Sequence, residues 1–244
     1  MSSIVFILGA GASKQCGAPL MAEFLDVANG LLKSGRAQEK EAAFKTVFSV
    51  VGGLQAVHSK AQLDLTNIES VFTALELGKI IQTVPGLKPG EITGAIDALK
   101  TLIVRTLEVS IGFPTRGTTI GAPKPYDDFA KLLGYLREKA RPAYSVSVIT
   151  FNYDIAVDVA LFRANLGPDY MLDPTSGAAG HVALMKLHGS LNWASVTERE
   201  EVRPLHLKDY FQHYRAQGLQ DTSTTFLAIG SEHLAKYFED TENL

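Results

Sequence analysis

The stretch that most restricts what this chain can become lies at its start. Ile4-Val5-Phe6-Ile7-Leu8 runs straight into Gly9-Ala10-Gly11-Ala12-Ser13, with Gly17-Ala18-Pro19 close behind. A short apolar run cut off by glycine predicts a buried parallel strand. Gly9 and Gly11 permit a tight turn and leave no Cβ between the main chain and a ligand. The helix predicted next points its first amides at whatever sits on the turn, a geometry that suits a pyrophosphate. Alone, the stretch also fits a tight strand-to-helix turn with no ligand. It lacks the full dinucleotide fingerprint. The third glycine of G-x-G-x-x-G falls at Lys14, and no acidic residue ends a second strand about 20 residues later, since Asp26 lies in a helical pattern.

The 244 residues suit one large domain or one domain with an insertion. Hydrophobic residues make up 46% and charged residues 20%, enough for a sizeable core. The net charge of −3 supplies no electrostatic reason to expect a nucleic-acid partner. Cys16 is the one cysteine, so neither an intrachain disulfide nor a multi-cysteine zinc module can form. His58, His181, His206, His213 and His233 show no metal-ligand spacing, and no metal is expected. No apolar run reaches the length of a membrane span. Met1-Ser2-Ser3 lacks the basic region of a signal peptide. These features together predict a soluble, cytoplasmic protein with no membrane partner.

Helical spacing follows the glycine turn. Phe24, Leu25, Ala28, Leu31 and Leu32 form one stripe that Gly35 stops, and Phe44, Val47, Phe48 and Val51 form a second, closed by Gly52-Gly53. Thr66-Asn67-Ile68-Glu69 reads as a capping box with Thr66 as the cap, ahead of a stripe of Ile68, Val71, Phe72 and Leu75. Pro89 opens another helix bearing Ile92, Ile96, Leu99 and Ile103. Thr115 to Pro125 reads as a loop. Tyr126, Phe129, Leu132, Leu133 and Leu136 mark a helix that Pro142 limits.

Strand character returns at Tyr144 to Thr150, followed by a helix from Ile155 to about Leu166. A turn-rich stretch, Asp173 to Gly180, precedes a strand from Val182 to Leu187. Glu198 to Glu201 reads as a solvated charged run. Tyr210, Phe211 and Tyr214 suggest a helix, and Thr225 to Ile229 a last strand. The charged end, Glu239 to Leu244, comes soon after and reads as the stop of a shortened or compact sheet. Strand, turn and helix in repetition predict an α/β fold: a Rossmann-like, mostly parallel sheet over residues 1–35 and 115–244, with a helical insertion over 36–114.

Three predicted strands end in residues that carry chemistry: Gly9 to Ser13, Asn152 to Asp154, and His188-Gly189. In an open parallel sheet, ligands sit outside the carboxyl ends of the strands, so all three fall at one edge. Here the chain resembles the sirtuin (silent information regulator) family. That family carries a G-A-G-x-S turn followed by G-I-P, a T-Q-N-x-D strand end and a later H-G. The counterparts are Gly9-Ala10-Gly11-Ala12-Ser13, Gly17-Ala18-Pro19, Thr150-Phe151-Asn152-Tyr153-Asp154 and His188-Gly189-Ser190, in the same order. The likeness covers about residues 1–35 and 126–193. The wording Thr-Phe-Asn-Tyr-Asp and Leu-His-Gly-Ser-Leu-Asn-Trp is most similar to the sirtuin-like domains of bacterial antiviral defence. In those domains the likeness implies hydrolysis of NAD rather than deacylation.

The departures agree. The four-cysteine zinc module of the deacylases is missing. Leu20-Met21-Ala22 stands where the family's D-F-R arginine belongs, and Phe151 replaces its glutamine. A later G-T-S run, on the adenosine side, has only Ile229-Gly230-Ser231 as a candidate.

The resemblance implies a site in which Gly9, Ala10, Gly11, Ala12, Ser13, Asn152, Asp154, His188 and Gly189 contact NAD, with Asn152 and His188 catalytic. The residue types suit it. Asn152 can donate to and accept from ribose hydroxyls or water. His188 can act as a general base near neutral pH. Ser13 can reach a phosphate, and Asp154 positions Asn152 or caps the following helix. Cys16 reads as inert, and Trp193 and Tyr210 as packing in the core or lining the cleft. The expected activity is cleavage of NAD to nicotinamide and ADP-ribose in abortive-infection defence, restrained by a regulatory protein partner or by homo-oligomerisation. Two alternatives stay open: NAD-dependent deacylation or ADP-ribosyl transfer to protein, and a non-catalytic module that senses NAD or ADP-ribose.

Overall fold

The computed structural model describes residues 3–56, 63–116, 119–172, 180–196 and 201–204. In chain order they form β1 (Ser3–Leu8), α1 (Ala10–Lys14), α2 (Phe24–Lys33), α3 (Glu41–Gln55), α4 (Ile68–Ile81) and α5 (Ile92–Ser110). Then come β2 (Thr115–Arg116), β3 (Thr119–Ile120), α6 (Lys124–Gly134), β4 (Ser145–Thr150), α7 (Ala156–Arg163), β5 (Pro168–Asp169), β6 (Val182–Lys186), β7 (Trp193–Val196) and β8 (Glu201–Pro204). They fall into two compact units. One is α/β and holds residues 3–18 together with those from Ile111 onward; the other is helical and spans Pro19–Ser110. Among the described residues, no helix is long and apolar enough to cross a membrane.

In the α/β unit, four strands pair in the order β1-β4-β6-β5, all parallel, giving a Rossmann-like sheet. Alternation decides which side chains face the core. Phe6 and Leu8 pair in register with Val148 and Thr150, and these with Leu184 and Lys186. Paired residues in parallel strands share a face. Helices α6 and α7 cover that face: the ring of Phe129 on α6 meets Phe6 at 5.1 Å, and Lys186 reaches Asp158 on α7. Ala156 to Leu161 of α7 are all buried, as their mostly apolar sequence requires. Among the described residues the opposite face is half-exposed at β4 and β6 and most open at β1. Val5 is 53% and Ile7 69% exposed. The expectation of a buried first strand is therefore corrected: among the described residues β1 is the sheet's edge, covered on one side only.

Local differences from the sequence reading have local causes. The α4 cap is Asn67, whose side chain accepts from the Glu69 amide at 2.9 Å, while the Thr66 hydroxyl donates to Asp64. Asparagine is the stronger cap of the two. The stretch read as a loop after residue 114 holds the β2–β3 pair, tied to α7 by the Arg163 guanidinium donating to the Ile120 carbonyl at 2.6 Å. β5 is only two residues long, too short to show a period. β7 and β8 pair antiparallel across the run read as solvated. The predicted turn over 173–179, the helix at 210–214, the strand at 225–229, the adenosine-side candidate at 229–231 and the charged end at 239–244 lie outside the described residues.

The helical unit packs α2, α3, α4 and α5 around Phe24, Phe44, Leu75, Ile92, Leu99 and Leu102, each nearly or fully buried. Gly78 lets α4 approach Val84 closely, since a Cβ there would overlap a Val84 methyl. The acidic group in this core is ill-served. Glu108 is 3% exposed, and among the described residues neither of its carboxylate oxygens has a hydrogen-bond partner; the nearest Arg105 nitrogen is 4.0 Å away. Arg105 instead donates to the Arg36 carbonyl and to Gln38. Burial raises the Glu108 carboxyl well above its ordinary 4.5, and the charge of Arg105 only partly offsets this. A raised acid binds its proton more tightly when folded, so stability is greatest at low pH and falls as pH rises from about the ordinary value toward the raised one. Glu108→Gln is expected to remove this slope and to stabilise the protein by about 1 kcal/mol at mildly alkaline pH. Thermal unfolding of both proteins across that range checks it; parallel pH profiles would refute it.

Candidate functional site

The register sets three strand ends level. Leu8 stands beside Thr150, and Thr150 beside Lys186. Two further ladder bonds, from the Phe151 amide to the Leu8 carbonyl (3.1 Å) and from the Leu187 amide to the Thr150 carbonyl (2.9 Å), carry the alignment one residue past the strands. The segments 9–13, 151–154 and 187–189 thus leave the sheet from one edge.

The glycine turn is open to its surroundings. Gly9 is extended, at φ −112° and ψ −173°, a conformation any residue adopts. A Cβ built on Gly9 or Gly11 meets no atom within 4 Å. Neither backbone strain nor internal packing demands glycine here. Ala10 and Ala12 are half-buried on α1, and Ser13 is fully buried.

Ser13 is the hub of a buried cluster. Its hydroxyl donates to Asp154 Oδ2 at 2.6 Å and accepts from Asn152 Nδ2 at 3.0 Å. Its one proton being given to Asp154, the 2.8 Å bond to Tyr126 must be donated by the phenol. Burial, reinforced by the charge of Asp154, raises the Tyr126 phenol far above its ordinary value, so it stays protonated and able to donate. The hydroxyl expected to reach a phosphate therefore faces inward, because three polar partners enclose it. What it holds is the amide of Asn152.

That amide is fixed in one orientation. Nδ2 donates to the Gly9 carbonyl at 2.9 Å as well as to Ser13, which uses both amide protons. A flipped amide would set two acceptors against each other. Asn152 Oδ1 makes no hydrogen bond among the described residues, so the side chain offers an acceptor at the sheet edge. Asp154 sits behind it. Its Oδ1 accepts from the Ala156 amide at the start of α7, and its Oδ2 from Ser13. Burial raises the Asp154 carboxyl, and Lys186 pulls it back.

His188 follows β6 on a tight turn that requires Gly189 at φ +89°, in the left-handed region. The imidazole is exposed and lies between the rings of Phe151 (5.4 Å) and Tyr153 (5.8 Å), the two residues flanking Asn152. Hydrogen bonds thus join Gly9, Ser13, Asn152 and Asp154, while ring contacts bring His188 beside them. The thiol of Cys16 is buried and pushed up to about 11 by that burial and then by Asp154, which leaves it protonated and unreactive at neutral pH. Trp193 packs edge-on against Tyr170 at 5.4 Å.

Sequence reasoning missed Tyr126, whose apolar stripe concealed its hydroxyl. It also missed a polar network beneath the edge: Lys186, Asp158, Tyr170, Ser190 and Asn192. The available signal was a charge in an otherwise apolar stretch, Lys186 at the end of β6 and Asp158 within α7. Among the described residues, no group of three or more His, Cys, Asp or Glu is placed to hold a metal ion. No protein-family model matches the chain, and no curated protein sequence matches it.

Proposed function

We propose that the protein is a cytoplasmic NAD glycohydrolase of the sirtuin-like kind, acting in antiviral defence by draining NAD from infected cells. The observation that carries this reading is the pairing of an open glycine turn with an asparagine whose amide is locked and whose oxygen is left over. Glycines that neither packing nor backbone conformation requires are explained by a ligand that must approach the main chain closely. A pyrophosphate on the turn over residues 9–13 is such a ligand, held by the backbone because the Ser13 hydroxyl is committed elsewhere.

With NAD laid across the strand ends, the glycosidic bond breaks with its electron pair going to nicotinamide, leaving an oxocarbenium-like ribose. Asn152 Oδ1 accepts a hydrogen bond from a ribose hydroxyl or from the attacking water. His188 takes the proton that the water releases, as a general base. Water adds at C1′, and ADP-ribose results. Unrestrained, this reaction would harm the host, so a regulatory protein partner or assembly of copies holds it in check.

The experiment is chromatographic analysis of NAD incubated with the purified protein. Stoichiometric nicotinamide and free ADP-ribose are expected. ADP-ribose or acyl transfer to or from protein would replace this reading with transferase or deacylase activity. Calorimetric binding of NAD without release, under every activation condition, would favour a sensing module.

A further inference from the structure

α7 is apolar apart from Asp158 and its terminal Arg163, and β6 apart from Lys186. Both side chains are fully buried, and they meet at 2.9 Å. Such a pair is costly to desolvate, and an apolar pair of similar size would often be as stable or more so. Its place in the chain offers a reason for it.

The segment between Lys186 and Asn192 is a short excursion that carries His188, and both of its ends are tied to Asp158. At the near end, Lys186 Nζ donates to Asp158 Oδ2 and, at 2.6 Å, to the Asp154 carbonyl. At the far end, Asn192, fully buried, donates through Nδ2 to the Tyr170 hydroxyl at 3.0 Å, and that hydroxyl donates to Asp158 Oδ1 at 2.7 Å. Ser190 donates to Asn192 Oδ1 at 2.6 Å, and the Leu191 amide to the Tyr153 carbonyl at 2.9 Å. One carboxylate grips the His188 turn from both sides, an oxygen for each, and fixes it against the segment that carries Asn152.

We propose that Asp158 is the positioning residue for His188: through Lys186 on one side and Tyr170–Asn192 on the other, it sets where the imidazole stands at the sheet edge. Asp158's part in catalysis rests on the cleavage reading above; its hold on the turn does not. The phenol of Tyr170, raised well above its ordinary value by burial and by Asp158, remains protonated and keeps donating across the pH range of an assay.

The test removes one arm and leaves the buried ion pair alone. Tyr170→Phe deletes a single hydroxyl and keeps the ring against Trp193. The readouts are the imidazole Cε1–H resonance of His188, identified by its absence from His188→Ala, together with kcat, KM and the melting temperature. The resonance is expected to shift or broaden while the other histidine signals stay in place. The value of kcat should fall roughly 10- to 100-fold, as for a small misplacement of a reacting group, with KM unchanged and the melting temperature lowered by only a few degrees, because Asp158 Oδ1 and Asn192 Nδ2 each lose the Tyr170 hydroxyl. In a His188→Ala background, Tyr170→Phe should have no further effect on the rate, because a residue acting only through the imidazole has nothing left to act on. An unmoved His188 resonance overturns the proposal. So does an equal loss of rate with and without His188, which is the mark of a merely structural role. A moved resonance in a protein that releases no nicotinamide supports the grip on the turn and overturns the catalytic part together with the cleavage reading. If Tyr170→Phe does not fold, Ser190→Ala breaks the same arm one bond farther along at a half-buried residue, with the same expectation at smaller size.

Discussion

His188→Ala is expected to cut nicotinamide release from NAD at least 100-fold while leaving the melting temperature and circular dichroism of the protein unchanged. The size follows from the role. Proton transfer by a positioned side chain contributes about 10²–10⁴-fold, and among the described residues no other side chain at this edge is suited to it. Asp154 is buried behind Ser13, the Cys16 thiol is protonated, and the Tyr126 phenol is a donor inside the cluster. The lack of a stability effect follows from exposure, since the imidazole meets the protein at this edge through the rings of Phe151 and Tyr153. Wild-type turnover by the variant would remove His188 from the mechanism; loss of activity with loss of fold would leave the two roles to be parted by His188→Gln.

The largest expected effect on stability comes from Lys186→Met. Methionine fills the space of the lysine stem but deletes Nζ. That leaves Asp158 Oδ2 and the Asp154 carbonyl without their donor, and two buried carboxylates without the cation between them. Breaking a buried pair from one side costs about 3–5 kcal/mol. The exposed pairs Lys45–Glu41 and Lys131–Asp127 look similar on paper but sit in water, where the same deletion costs well under about 1 kcal/mol. The deficit of Lys186→Met should also grow as pH rises. Asp154 is already raised by burial, and Lys186 is the chief influence lowering it. Without Lys186 the folded state holds that proton still more tightly, so its relative stability is best in acid and declines toward neutrality. Denaturant melts of both proteins from about pH 4 to about pH 8 test both points. A deficit of less than about 1 kcal/mol, or one that shrinks with pH, would show that the pair is solvated.

Much of the fold could be read in the chain, and the reasons are physical. β1, β4 and β6 were legible because apolar runs ending in glycine or polar turns have few other solutions. The helices were legible because stripes such as Ile92, Ile96, Leu99 repeat at 3.6 residues. The edge position of β1 was not, since its side-chain pattern does not record whether a neighbour exists. The cap on α4 moved by one residue because Thr66 and Asn67 can both accept from the first turn, and the competition is settled only by where Asp64 lies. At the sheet edge, the residues with a local motif around them were legible. Tyr126 and Asp158 had none: each acts through partners more than ten positions away, and only folding brings those together.

Ser13 meets Tyr126, Asn152 and Asp154 across 113, 139 and 141 positions of chain. On the ribosome, then, the glycine turn is made long before the residues that complete it. At about 5–20 residues per second, the delay before its partners emerge is on the order of ten seconds. During that time the first strand has no neighbour to pair with and is a natural client for a chaperone. A broken message or a stalled ribosome yields a fragment with the turn but without Asn152 or His188. If the protein is the NAD-cleaving enzyme proposed above, every unfinished copy is thereby harmless, and the capacity to cleave arises only in a chain whose synthesis has passed the last residue of the His188 turn.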